Sequence, residues 1–172
     1  MTPNVKEQEF QIRLASEDDF EDIFSIWLSG IENSFDTSSV DIPNLKTKFH
    51  KNFIKRSGIF NYWVAIDKEQ KILGWQSLKK TTVNPLKEDF YAESSTYIHV
   101  DARKLGLGDF LIDFVMKEAE RSQLLYVTAL VTITNAIIRK IAANKGWIEM
   151  GEFPPSTKAD NKYPKLFIVR PV

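Results

Sequence analysis

Arg103-Lys104-Leu105-Gly106-Leu107-Gly108 follows an extended segment, Ser94 to Val100, and opens an apolar-periodic helix. A strand, a two-glycine turn and a helix in immediate succession constrain this chain more than any other feature. Two glycines let backbone N–H groups approach an anion, and a helix N-terminus adds partial positive charge. The spacing excludes two common phosphate binders. A P-loop ends in Gly-Lys-Ser/Thr, whereas Gly108 is followed by Asp109. A dinucleotide fingerprint needs a third glycine, and here that position is Leu111. A glycine-rich helix start that binds nothing is the competing reading.

The rest of the chain arranges itself around that turn. Phe10 to Ala15 reads as a strand, and Ser16 caps a helix with Glu17, Asp18 and Asp19 in its first turn. Phe20, Ile23, Phe24, Trp27, Leu28 and Ile31 repeat with helical period, with Gly30 near the end. After the loop Glu32 to Ser39, a second helix begins near Pro43 and is expected to stop at Gly58. Tyr62 to Asp67 and Lys71 to Thr82 form a hairpin, and Phe90 to Val100 the next strand. The helix carrying Phe110, Leu111, Phe114 and Val115 follows the turn. Leu124 to Ile133, rich in β-branched residues, reads as a buried strand. Asn135 to Lys145 is a helix stopped by Gly146, and Trp147 to Phe153 and Lys165 to Arg170 are the last strands. The order β-α-α-β-β-β-α-β-α-β-β is that of an α/β domain with a mixed sheet, and 172 residues suit one domain spanning 1–172.

Composition removes several function classes. With no Cys there is no thiol nucleophile and no Cys-ligated zinc, and two His leave no basis for a His cluster, so no metal is expected. A formal net charge of zero argues against a nucleic-acid partner. The run Lys46, Lys48, Lys51, Lys55 and Arg56 reads as the solvated face of a helix. No apolar run is long enough to span a bilayer, so no membrane partner and a cytoplasmic location are expected.

Three segments in sequence order resemble the GNAT superfamily of N-acetyltransferases. Arg103-x-x-Gly106-x-Gly108 is similar to that family's acetyl-CoA pyrophosphate turn. Thr134-Asn135-Ala136 resembles the segment along the pantetheine arm, and Lys145-Gly146-Trp147 the glycine-aromatic pair that starts the following strand. The resemblance implies a mixed, mostly antiparallel central sheet flanked by helices. It also implies acetyl-CoA as donor, held by Arg103, Lys104, Leu105, Gly106, Leu107, Gly108, Asp109 and Asn135. A splayed strand would add the backbone near Ile98 and Val100. Ala92-Glu93-Ser94-Ser95-Thr96-Tyr97-Ile98 resembles the phosphinothricin acetyltransferase branch, whose Glu at this position is a proposed general base. Ile31 to Thr37 resembles that branch more loosely, through the loop that frames its substrate. The branch acetylates small amino-acid-like amines and is commonly dimeric, so a homodimer is expected.

On this reading Glu93 is the catalytic base, and Phe35 and Tyr97 contact a small-molecule amine acceptor. Transfer is direct, since no Cys can carry the acetyl group. Strand alternation places Glu93, Ser95 and Tyr97 on one face. Arg139 and Lys140 sit near the adenosine end or, on equal terms, are plain surface cations; Lys79 and Lys80 meet an acceptor carboxylate or form a solvated strand end, the latter being favoured. One departure is clear. Many members of the superfamily carry a Tyr where this chain has Ala142, so thiolate protonation by that Tyr is not available. Two rivals follow: an enzyme acting on protein or peptide N-termini, and an acyl-CoA-binding protein without catalysis.

Overall fold

The computed structural model describes residues 10–31, 37–154, 157 and 164–172. Seven strands form one sheet in the order β1-β2-β3-β4-β5-β7-β6. They are β1 (Gln11–Leu14), β2 (Tyr62–Ile66), β3 (Ile72–Lys80), β4 (Tyr91–Ile98), β5 (Tyr126–Thr132), β6 (Ile148–Glu152) and β7 (Lys165–Pro171). The helices are α1 (Phe20–Ile31), α2 (Ile42–Phe53), α3 (Leu107–Glu120) and α4 (Ala136–Asn144). The element order expected from the sequence is present, and only β4 and β5 pair in parallel.

Alternation along the strands sorts two cores onto opposite faces. Tyr62, Val64, Ile66, Ile72 and Trp75 turn toward α1 and α2, where they meet Ile23, Phe24, Phe49 and Phe53. Burying the Trp75 indole leaves its N–H needing an acceptor, and it donates to the Ile23 carbonyl at 3.0 Å. Trp63, Leu78, Ala92, Val127, Leu166 and Ile168 turn the other way and pack with Ile112, Val115 and Met116 of α3 and Ala142 of α4. Ala65, Leu107 and Leu111 continue that layer toward the start of α3. Lys145 locks the two helices of this layer by pairing with Asp109 (3.1 Å) and Asp113 (2.5 Å).

Three expectations are corrected, and Asp19 takes on a further role. Helix α2 ends at Phe53, and the chain turns before Gly58, because Ile54 N–H and Arg56 side-chain bonds close its last carbonyls. Arg56 is not part of a solvated face: it stacks 3.9 Å over the Phe53 ring and pairs with Glu17 at 2.6 Å. Asp19 does more than favour a helix start. It is buried and accepts from both Arg13 Nη1 (2.6 Å) and Nη2 (2.9 Å). Strand β5 is buried on one face only: Val127 is covered, but Tyr126 and Leu130 are exposed. Helices α1 and α2 lie over β2, β3 and β4 and stop short of β5, which leaves that half of the sheet open on their side.

Candidate functional site

Strand β4 is held on one side along its whole length and on the other only at its start. Against β3 it pairs without a register shift from Ala92 opposite Lys80 to Ile98 opposite Gly74. Against β5 it pairs only through Tyr91, Ala92 and Glu93, opposite Tyr126, Val127 and Thr128. Beyond Glu93 the two strands diverge, as the resemblance implied. Glu93 therefore stands at the apex of a fork.

The direction of the freed backbone follows from the ladder. His99 N–H donates to the Leu73 carbonyl on the β3 side. Antiparallel alternation then points the odd-numbered main-chain groups of β4 toward β3 and the even-numbered ones into the fork. Thr96 and Ile98 thus present their N–H and C=O groups to the opening. The Ile98 carbonyl accepts from Arg103 Nε at 3.4 Å, which draws the Arg103 guanidinium across the mouth. Val100 lies past the strand, in a 3-10 turn over Val100–Ala102, and His99 Nδ1 accepts from Asp101 N–H at that turn.

The glycine turn sits at the same mouth. Lys104 has φ 73° and Gly106 φ 76°, both left-handed. This twists the backbone so that α3 starts directly after Gly106. The first intrahelical bond is Phe110 N–H to Gly106 carbonyl, leaving Leu107, Gly108 and Asp109 as N–H donors at the open end. A Cβ built on Gly106 meets nothing within 4 Å, and one on Gly108 meets only Ile98 Cγ1 at 3.8 Å. Internal packing therefore does not demand glycine at 108; a ligand approaching that backbone would. Leu107 is the exception among the turn side chains, being buried in the core, while Leu105 is exposed. An anionic diphosphate fits this donor set: N–H groups at a helix start, with Arg103 and Lys104 exposed beside them.

Asn135 is the N-cap of α4 and accepts from Ile138 N–H at 3.2 Å through Oδ1, so its amide group stays available as a donor. Arg139 is not a free cation near the turn. It holds Glu149 of β6 through two bonds of 2.9 and 3.0 Å. Ala142 is buried in the α3–α4 core, so this face of α4 offers no proton donor at that position.

The other face of β4 carries the acceptor candidates. Glu93, Ser95 and Tyr97 all face the α1 side, as alternation predicted, and Glu93 is exposed. The Tyr97 ring lies 5.0 Å from Trp75. Burial pushes the Tyr97 hydroxyl up; a hydrogen bond with Trp27 opposes this, and the charge of Glu93 adds to it. Gly30 brings α1 against that ring so closely that a Cβ there would lie 2.5 Å from Tyr97 Cδ1. Phe35 lies outside the described residues.

The sequence offered Lys79 as a partner for an acceptor carboxylate but favoured a solvated strand end. Lys79 is instead half-buried, with Nζ 5.5 Å from the Phe49 ring and 5.4 Å from the Tyr62 ring. Burial lowers its pKa, and Glu93, opposite it in register, pulls the other way. The odd-position alternation of β3 and an aromatic at 62 were the signals that placed it. Lys80 points to the other face and pairs with Asp89 at 2.8 Å and Glu88 at 3.2 Å. A cavity of about 460 Å³ lined by Arg13, Trp63, Phe114 and Arg121 lies at the far end of α3 from the turn and shares no residue with this site.

The acetyltransferase (GNAT) family model matches residues 20–142. Similar solved structures include a GNAT superfamily phosphinothricin acetyltransferase from Sinorhizobium meliloti in complex with AcCoA. It shares 17% identity over 95% of this chain and 88% of that one, with TM-score 0.77. A GCN5-related N-acetyltransferase from Kribbella flavida shares 20% over 95% and 98%, TM-score 0.77. A ribosomal-protein-alanine N-acetyltransferase from Brucella melitensis shares 20% over 94% and 99%, TM-score 0.76. At these identities the likeness is one of fold. No curated protein matches the chain in sequence.

Proposed function

Because the chain belongs to the acetyltransferase (GNAT) family, and is thereby an acetyl-CoA-dependent N-acetyltransferase, we propose that it transfers the acetyl group directly to the primary amine of a small, amino-acid-like acceptor, with Glu93 as the base. The observation that carries this reading is the position of Glu93. It is the last residue of β4 paired to β5, at the apex of the fork, on the face that also carries Ser95 and Tyr97.

The donor supplies an activated acetyl thioester; everything else is work for this chain. Backbone N–H groups from Leu105 to Asp109 hold the diphosphate, with charge from Arg103 and Lys104. Main-chain groups of Ile98, with Thr96 beside it and Val100 beyond the strand end, line the arm of the donor, and Asn135 offers its amide from across the fork. An N–H of β4 aimed into the fork stabilises negative charge on the reacting carbonyl oxygen. Glu93 takes the ammonium proton, directly or through one water. Tyr97 bounds the acceptor, and another group or water protonates the departing thiolate, since Ala142 offers no hydroxyl.

The open half of the sheet supports a homodimer. Leu130, Ile148 and Met150 are 44%, 53% and 61% exposed on β5 and β6, apolar groups that a second copy would cover. Light scattering reads the mass directly. A cytoplasmic location belongs to this reading through the dependence on acetyl-CoA.

The test is CoA release from acetyl-CoA across a panel of amines: phosphinothricin, methionine sulfoximine, common amino acids, polyamines and N-terminal peptides. Turnover on small amino-acid-like amines supports the reading. Turnover confined to peptides moves the acceptor to protein N-termini, and tight acetyl-CoA binding without turnover on any amine marks a non-catalytic binder.

A further inference from the structure

The strand ends of β3 and β4 place two opposite charges on the face under α2, and they do not neutralise each other. Lys79 and Glu93 are opposite in register, and alternation makes them a hydrogen-bonded pair, with Cα atoms about 5.5 Å apart. Both side chains project toward the α1–α2 side. Lys79 feels the charge of Glu93, yet among the described residues it closes no ion pair and no hydrogen bond. Instead its ammonium is held over Phe49 and Tyr62. A half-buried cation with no carboxylate partner is unusual, because desolvating a charge is unfavourable unless something compensates it.

Two further polar groups lie on the same face. Ser77, two residues before Lys79 and on its side of the strand, is fully buried, and its Oγ has no hydrogen-bond partner. Tyr62, opposite Ser77 in register, is 2% exposed, and its hydroxyl has none either. Buried hydroxyls normally find partners. A cation and two unpartnered donors side by side form a set suited to an anion.

We propose that Lys79 is the anchor for an anionic group on the acceptor, with Ser77 and Tyr62 as donors behind it, so that the enzyme selects amines that also carry a carboxylate. The inference rests on the assignment of Glu93 as the base. It adds the second half of acceptor recognition: the ammonium lies at Glu93 and the carboxylate at Lys79. A short amino acid zwitterion complements both charges at once, and a polyamine or a neutral amine does not. Charge-assisted contacts of this kind are lost as a discrimination of roughly tenfold to a hundredfold.

The experiment compares an amino acid that the protein acetylates with the carboxamide of the same amino acid. The parent is expected to favour the acid by roughly tenfold or more in kcat/KM, carried mainly by KM. Lys79→Met keeps the stem over Phe49 and Tyr62 but removes the charge. It is expected to raise KM for the acid by that factor and leave the carboxamide and the acetyl-CoA KM unchanged, while Lys79→Arg retains most of the preference. A parent that uses acid and carboxamide equally well overturns the inference without recourse to any variant. So does Lys79→Met weakening both acceptors alike. Either result, with turnover intact, leaves the acetyltransferase reading standing, whereas no turnover on either acceptor or on the wider panel removes that reading and this inference with it.

Discussion

Lys104 gives an unusually direct way to separate folding from function in the glycine turn. Its φ of 73° puts a side-chain-bearing residue in the left-handed region. For an L residue that conformation is roughly 1–2 kcal/mol unfavourable. Glycine removes this strain but loses more backbone freedom on folding, an effect of roughly 0.5–1 kcal/mol. The difference leaves about 0–1.5 kcal/mol, centred near 0.75, in favour of Lys104→Gly. In a chain of this size the central value raises Tm by roughly 2–3 °C. Lys104 is exposed, so no packing is lost. If its ammonium also serves the donor's phosphates, acetyl-CoA binding weakens in the same variant, by about tenfold for one charge-assisted contact. Thermal melts of the apo protein and calorimetric titration with acetyl-CoA read the two effects independently. A variant that melts below the parent refutes the strain. A variant that melts higher and binds acetyl-CoA as tightly as the parent refutes the role of Lys104 in holding phosphate.

Other consequences follow from single contacts. Gly30→Ala places a Cβ 2.5 Å from Tyr97 Cδ1, so α1 or the ring must shift; acceptor KM should rise while acetyl-CoA affinity holds, as steady-state kinetics in both substrates will show. Gly108→Val puts a branched side chain beside Ile98 at the mouth of the fork. It should weaken acetyl-CoA binding at least tenfold with a Tm close to the parent's, since a Cβ there makes only an ordinary 3.8 Å contact. The Arg13 hydrogen bonds hold the Asp19 carboxyl below the usual carboxylate range, with burial opposing and Ser16 assisting. A lowered folded pKa means that this stabilisation is complete above the unfolded value, near pH 4, and is lost as pH falls through the folded one. Acid melts should therefore show Asp19→Asn less stable than the parent by about 1–2 kcal/mol near neutral pH, with the gap closing in acid.

The fold was legible because its signals were local. Helical periodicity from Phe20 to Ile31, the hairpin around Lys68 to Gln70 and the run of turn and helix after Val100 each specify an element without reference to the others. The half-open state of β5 was not legible. Val127 and Leu130 are equally apolar, and only the lateral position of α1 and α2 decides which is covered. The turn was legible for the same local reason, since positive φ and an uncapped helix start leave glycines in the sequence. Lys79 was not. Alternation sends it and Lys80 to opposite faces, but nothing local says which of the two is covered. The difference appears when β2 and α2 bring Tyr62 and Phe49 beneath one, and Asp89 comes back along the hairpin to the other. The Tyr97 environment is likewise a tertiary product, made by the approach of Gly30 and the hydrogen bond with Trp27.

The pH profile of Glu93→Gln tests the central claim most directly, measured as kcat/KM for the best amine of the panel with acetyl-CoA saturating. Glutamine keeps the shape and removes the base. The account predicts a loss of roughly 10²–10⁴-fold near neutral pH, recovering as pH approaches the acceptor's own pKa, with the acetyl-CoA KM unchanged. A variant as fast as the parent at every pH would contradict it and remove Glu93 from the chemistry.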